Sequence, residues 1–150
     1  MSGDLLRLIP TDPEWVPDEV ALRRAVRVVH DLVPDAERVG AQRYGGTVFI
    51  DAGGNTERIG CPACGADLAP EWWGDRMDRA HRQGFGQLVV RTPCCGTYTS
   101  LNDLDYVEPA GFARVELRAE RPRRGLLTTG ELDRVAGALG HPVREVRGQG

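Results

Sequence analysis

Lysine is absent from this chain of 150 residues, so all 19 of its basic side chains are arginines. Without a lysine amine the chain cannot form a Schiff base, and it cannot hold a phosphate group through a P-loop lysine. The sequence also contains no GxGxxG motif. These absences exclude lysine-dependent covalent catalysis and the common nucleotide-binding motifs.

Long apolar runs are absent as well, because no run approaches the roughly 18 residues that a membrane helix needs. The first residues, MSGDLLRLIPTDPEW, have no basic region followed by an apolar core, so they do not read as a secretory signal. We therefore expect a cytoplasmic protein that does not associate with a membrane. In a reducing compartment, metal ligation or redox chemistry is favoured over structural disulfides.

Serine and histidine are scarce. The serines are Ser2 and Ser100, and the histidines are His30, His81 and His141. No set of nucleophile, histidine and acid can be assembled from them, so the sequence favours a binding protein over an enzyme.

The remaining composition is ordinary for a globular protein, with 41% hydrophobic and 27% charged residues and a net charge of −3. The chain length predicts one domain over residues 1–150, and the mixture of helix and strand patterns predicts an α+β class. Residues 1–16 are expected to form an extended arm, and 18–33 have the spacing of an amphipathic helix.

From Gly46 onward the predicted order is strand, helix, strand, strand, helix, strand, with a turn at Gly53–Asn55. This order is that of a ferredoxin-like β-α-β-β-α-β sheet, to which the N-terminal helix would be an addition. The two later helices are predicted over residues 71–83 and from a cap at Thr128 or Thr129 to about Leu139.

Two turns carry the chain's four cysteines. Cys61-Pro-Ala-Cys64-Gly is a knuckle in which two thiolates leave one tight loop, as a tetrahedral zinc site requires. Thr92-Pro-Cys94-Cys95-Gly departs from that template, because Cys95 takes the second ligand position and Thr92 takes the first.

This pair of turns resembles the zinc-ribbon families, and CPxCG with TPCCG resembles a bacterial zinc-ribbon-like family. The resemblance covers two short segments, and it implies that Cys61, Cys64 and Cys95 bind zinc within a zinc-knuckle insertion at about 59–97. The fourth ligand would be Cys94, reached by a different turn of the loop, or His81 as its substitute. Four protein ligands would make the zinc structural.

Two other interpretations of the cysteines stay open. The thiols can be unrelated small core residues. Alternatively, the CxxC turn can belong to a thiol oxidoreductase, although Gly65 and Pro70 delay the helix that such enzymes place at the second cysteine.

The sequence indicates less about a binding partner than about the metal. Trp72 and Trp73 are consecutive, so one of them can anchor a protein partner, which predicts an adaptor or regulatory module. Packing of both tryptophans against the cysteine turns is the alternative. Arg121, Arg123 and Arg124 form the most basic loop, and they predict a nucleic-acid or ribosome-associated protein as a further alternative.

Overall fold

The computed structural model describes residues 4–51 and 58–149, so the predicted turn at Gly53–Asn55 lies outside the described residues. The fold is mixed α+β, with three helices and antiparallel sheets in the described part. In chain order the elements are β1 (Asp4–Pro10), α1 (Glu19–Leu32), β2 (Arg38–Ile50), β3 (Ile59–Gly60), α2 (Pro70–Arg82), β4 (Val89–Arg91), β5 (Tyr98–Ser100), a 3₁₀ turn (Leu101–Asp103), β6 (Asp105–Tyr106), β7 (Gly111–Glu120), α3 (Thr129–Leu139) and β8 (Val143–Gln149).

The main sheet has four strands in the order β2-β7-β1-β8, and each neighbouring pair is antiparallel. Helices α1 and α3 contribute buried residues to one core with β1 and β7, so they cover the same face of this sheet. Both helices begin at the caps their sequences favour: Asp18 accepts a hydrogen bond from the N–H of Ala21, and Thr128 forms a capping box with Glu131.

The predicted extended arm at residues 1–16 is wrong for Asp4–Pro10, which is a central strand of the main sheet. Leu6 and Leu8 have no exposed surface. A strand buried on both faces has a nearly continuous apolar sequence, so it lacks the alternation by which exposed strands are recognised. The N-terminal helix is also not an addition to the fold, because α1 packs on the main sheet together with α3.

The chain leaves the main sheet after β2 and returns at β7. These strands pair with Ile50 opposite Gly111, so the exit and the return are adjacent. Between them lie α2 and two small sheets, in which β3 pairs with β6 and β4 pairs with β5. Helix α2 therefore does not pack in the layer predicted for it.

A second core joins this region to the main sheet. Its buried residues come from the region between the main strands, together with Phe112 of β7. Phe49 of β2 packs on Phe112 with a distance of 5.0 Å between ring centroids. The second core is therefore built on two strands of the main sheet. Its members are Ile59, Cys61, Leu68, Ala80, Val90, Leu101, Leu104, Tyr106, Ala110 and Phe112.

The sheet face opposite α1 and α3 carries a buried polar network. The Glu116 carboxylate accepts hydrogen bonds from the Tyr44 hydroxyl and, at 3.2 Å, from Nε of Arg118. Burial of Tyr44, and after it the hydrogen bond to the Glu116 carboxylate, raises the pKa of Tyr44 to about 12. On the same face, Arg7 donates to the carbonyl of Asp51. Within residues 4–51 and 58–149, no helix has the length and apolar character needed to cross a membrane.

The position of β1 predicts a stability difference between two leucines. Leu8→Ala removes a side chain with 0% exposure from the core between sheet and helices, and we expect it to lower the free energy of unfolding by about 2–5 kcal/mol. Leu126→Ala, at a leucine that is 70% exposed, is the control and should change it by less than about 0.5 kcal/mol. Urea denaturation measures both. Equal effects would contradict a central position for β1.

Candidate metal centre

The first cysteine turn directly follows the short strand β3. The N–H of Cys61 donates to the carbonyl of Ala66 at 2.8 Å, and the N–H of Gly65 donates to the carbonyl of Cys61 at 2.9 Å. Gly65 has a φ of +77°, a conformation that glycine adopts without steric cost. These bonds close a tight loop that places the sulfurs of Cys61 and Cys64 on one side.

The second turn joins β4 to β5 and repeats the backbone geometry of the first. The N–H of Thr92 donates to the carbonyl of Thr97 at 2.9 Å, and the N–H of Gly96 donates to the carbonyl of Thr92 at 2.9 Å. Gly96 has a φ of +71°. Thr92 therefore occupies the backbone position that Cys61 has in the first turn, as the sequence alignment of the two turns indicates.

The two turns face each other and bring the four cysteines together. Their sulfur atoms all lie within 4.8 Å of one another, and all four cysteines are free thiols. The Sγ atoms of Cys61 and Cys95 are 3.8 Å apart, and those of Cys64 and Cys94 are 3.4 Å apart. This group, the cysteine cluster, is an arrangement that can hold a metal ion.

The cluster lies at the protein surface but is attached to the second core. Cys61 is buried at 2% exposure, whereas Cys64, Cys94 and Cys95 are exposed. Cys61 is itself a member of the second core. One ligand position is thus fixed by packing, and the other three are reachable from solvent.

Thr92 contacts a cysteine sulfur, a role that its sequence position did not indicate. Its side chain is buried, and its Oγ1 lies 3.4 Å from the Sγ of Cys95. On the other side, Oγ1 of Thr97 lies 3.2 Å from the same sulfur. The hydrogen bond with Thr92 has the largest effect on Cys95, and the one with Thr97 the next largest. Together they lower the pKa of Cys95 to about 6, so the thiolate is favoured.

The cysteines of the first turn have opposite shifts. Backbone hydrogen bonding, above all from Cys64, lowers the pKa of Cys61. At Cys64 the backbone N–H of Ala66 lowers the pKa, but the contact with Cys94 and burial outweigh it and raise the value to about 12. Crowded thiols resist losing several protons at once, and a bound cation removes this resistance by stabilising every thiolate.

His81, the predicted substitute ligand, is not one of the residues that gather in this cluster. It is exposed near the end of α2, and its ring lies against Phe85 with 5.5 Å between ring centroids. Since Cys94 reaches the other sulfurs, the cluster is complete without an imidazole.

The two tryptophans have different surroundings. Trp73 donates from Nε1 to the hydroxyl of Tyr106 at 3.2 Å, and its ring packs on Phe49 at 5.9 Å. It thereby ties α2 to the second core. Trp72 also packs against the second core, and the guanidinium of Arg76 lies over its ring at 6.0 Å.

The arginines of the basic loop are largely engaged within the protein. Arg124 makes two hydrogen bonds with the carboxylate of Glu131, at 2.7 and 2.8 Å, and holds the pKa of that carboxyl at about 2. Arg121 lies 3.2 Å from the carboxylate of Glu37. Only Arg123 of the predicted set is exposed with no ion pair to another described residue.

Comparisons of the chain with protein-family models, with curated proteins and with solved structures find no match.

The hydroxyl beside Cys95 can be tested in the metal-free, reduced protein. Thr92→Val removes this donor, so we expect the pKa of Cys95 to rise from about 6 toward 9 and its alkylation at neutral pH to slow. Iodoacetamide labelling across a pH series, read by peptide mass spectrometry, gives the midpoint for Cys95. Thr99→Val, at a β5 residue paired with Val90, is the matched control. An unshifted midpoint in Thr92→Val would rule out the hydrogen bond.

Proposed function

We propose that Cys61, Cys64, Cys94 and Cys95 bind one zinc ion, and that this ion is a structural centre. The observation that supports the proposal is the convergence of four sulfurs, from two turns distant in sequence, within 4.8 Å. If the cysteines were unrelated small core residues, their sulfurs would not be expected to converge on one point.

The spacing of the sulfurs fits zinc. With a Zn–S bond of about 2.3 Å, a tetrahedral site places its sulfurs about 3.8 Å apart. The pairs Cys61–Cys95 and Cys64–Cys94 are separated by 3.8 and 3.4 Å. Tetrahedral sets of four thiolates are typical of zinc and of iron–sulfur proteins, and a single ion suits a cluster this small.

A structural role follows from the number of ligands. Four thiolates fill a tetrahedral site and leave no position where a water molecule could be activated. Binding at such sites supplies about 10–16 kcal/mol to folding. Here that energy would hold the turn after β3 against the β4–β5 hairpin, where the strands are only two or three residues long.

The proposal extends to the fold. Residues 1–150 form one domain, whose main layer is a ferredoxin-like β-α-β-β-α-β sheet made of β1, α1, β2, β7, α3 and β8. The strand order β2-β7-β1-β8 supports this assignment. The zinc-knuckle segment, about 59–97, is then an insertion between β2 and β7.

We assign the chain to zinc-stabilised, cytoplasmic binding modules, as an adaptor or regulatory protein. Both tryptophans predicted to anchor a protein partner pack against the second core. Trp72 suits the anchoring role better, because the indole N–H of Trp73 is already bonded to the hydroxyl of Tyr106. The thiol oxidoreductase alternative requires a metal-free CxxC pair, so measurement of the bound metal separates it from our proposal.

Elemental analysis of the purified protein tests the metal. We expect one zinc ion per chain, and we expect cobalt(II) exchanged into the site to show the intense visible absorption of tetrahedral thiolate coordination. Chelation should lower the thermal stability, and returning zinc should restore it. A metal-free protein whose unfolding is unaffected by chelator or by added zinc would refute the proposal.

The fourth ligand has a sharper test. Cys94→Ser removes one sulfur, and we expect zinc affinity to fall by more than about 100-fold, since loss of outer contacts alone costs 10–100-fold. Adding Thr92→Cys places a thiol at the position equivalent to Cys61, and it should recover much of the affinity. Competition with a chromogenic chelator measures both variants. Full affinity in Cys94→Ser would exclude Cys94 as a ligand.

A further inference from the structure

The region between β2 and β7 has a second feature, which borders the second cysteine turn but includes none of the four cysteines. Helix α2 and the β4–β5 hairpin enclose a groove of about 230 Å³, here called the helix–hairpin groove. Its lining includes the buried apolar residues Ala80, Val90 and Leu101, and polar side chains from both elements complete it. Pockets for whole small molecules are usually about 300–1,000 Å³, so this groove suits one unit of a longer ligand.

The charge of the groove is positive. Arg76, Arg79 and Arg91 line it, and no carboxylate is among its described lining residues. Asp75, on the same helix, lies 4.0 Å from Arg76 and 3.4 Å from Arg79 and partly neutralises them. Arg91 has no ion pair within the described ranges, and its Nε donates to the carbonyl of Gly96 at 3.1 Å. Three guanidinium groups thus face one nearby carboxylate.

The same groove also contains an exposed aromatic ring. Tyr98 on β5 lines this groove and is 71% exposed, so its ring is accessible to a ligand. The guanidinium of Arg91 lies over this ring at 5.7 Å from its centroid. Exposed aromatic rings and guanidinium planes are the surfaces on which unpaired nucleobases stack.

We propose that the helix–hairpin groove binds single-stranded nucleic acid, with a base stacked at Tyr98 and the phosphates held by Arg76, Arg79 and Arg91. An acidic peptide would satisfy the arginines, but only a peptide that carries its own aromatic side chain could also stack on Tyr98. A duplex keeps its bases stacked inside and cannot present one to a groove of this size. The amides of Gln83 and Gln87, which also line the groove, can hydrogen-bond a base edge.

This site differs from the one predicted from sequence at Arg121, Arg123 and Arg124. It uses none of the four cysteines, so it goes beyond the zinc proposal.

Fluorescence anisotropy of the full-length, metal-loaded protein with labelled oligouridine and oligothymidine tests the proposal in a salt series. We expect affinity to fall as salt rises. Arg79→Gln should weaken binding and lower the log–log salt slope by about 0.7, the value for one phosphate contact on a single strand. Arg134→Gln, at an exposed arginine on α3, is the matched control and should change neither value.

Two further changes separate stacking and charge from loss of fold. Tyr98→Thr keeps a residue that favours strands and should weaken binding by about fivefold or more, whereas Tyr98→Phe keeps the ring and should bind like the wild type. Asp75→Asn frees Arg76 and Arg79 and should strengthen binding, a gain that unfolding cannot imitate.

The proposal is overturned if neither oligonucleotide binds, if Tyr98→Thr and Arg79→Gln bind as the wild type does, or if Arg134→Gln weakens binding as much as Arg79→Gln. Polyglutamate that competes equally with oligonucleotide, with no effect of Tyr98→Thr, would overturn it in favour of an acidic protein partner. Metal content is measured on every sample. If the protein holds zinc but does not bind the oligonucleotides, only this inference is refuted. If it binds the oligonucleotides but holds no zinc, only the proposed function is refuted.

Discussion

The contact between two cysteine turns is the constraint on which the region between β2 and β7 depends. One turn follows a strand of two residues, and the other closes a hairpin whose strands have three residues each. Strands this short make few ladder hydrogen bonds, so they need another source of order. Sulfurs that meet within 4.8 Å provide the place where a single cation can supply it.

The second core carries this constraint to the main sheet. Cys61 belongs to that core, and so does Phe112 of β7. Asn102, which is buried, accepts a hydrogen bond from the N–H of Phe112 at 2.9 Å and donates to the carbonyl of Thr11 at 2.9 Å. The cysteine cluster and the main sheet are therefore parts of one packed structure.

The helices were predictable because local signals agree with their packing. Helix α1 has apolar residues at helical spacing after Asp18, and α3 has a capping box at Thr128. Each cysteine turn was predictable because knuckle geometry needs only a few adjacent residues, and their pairing was predicted from the repetition of the motif. In contrast, β1 lacks alternation because both of its faces are buried, so its place at the centre of the sheet was missed.

The sequence by itself determined the three helices and the two cysteine turns, since each depends on residues within one helix or one turn, and the mixture of helix and strand patterns gave the α+β class. It left the fourth position of the candidate centre open between Cys94 and His81, and the structure brings Cys94 to the other sulfurs. Only the tertiary structure decided that β1 lies between β7 and β8, that Thr92 faces the sulfur of Cys95, and that both tryptophans pack against the second core. It also gathered Arg76, Arg79 and Arg91 beside Tyr98, whereas the loop arginines Arg121 and Arg124 pair with carboxylates. These outcomes depend on contacts between residues far apart in the chain, which local spacing cannot specify.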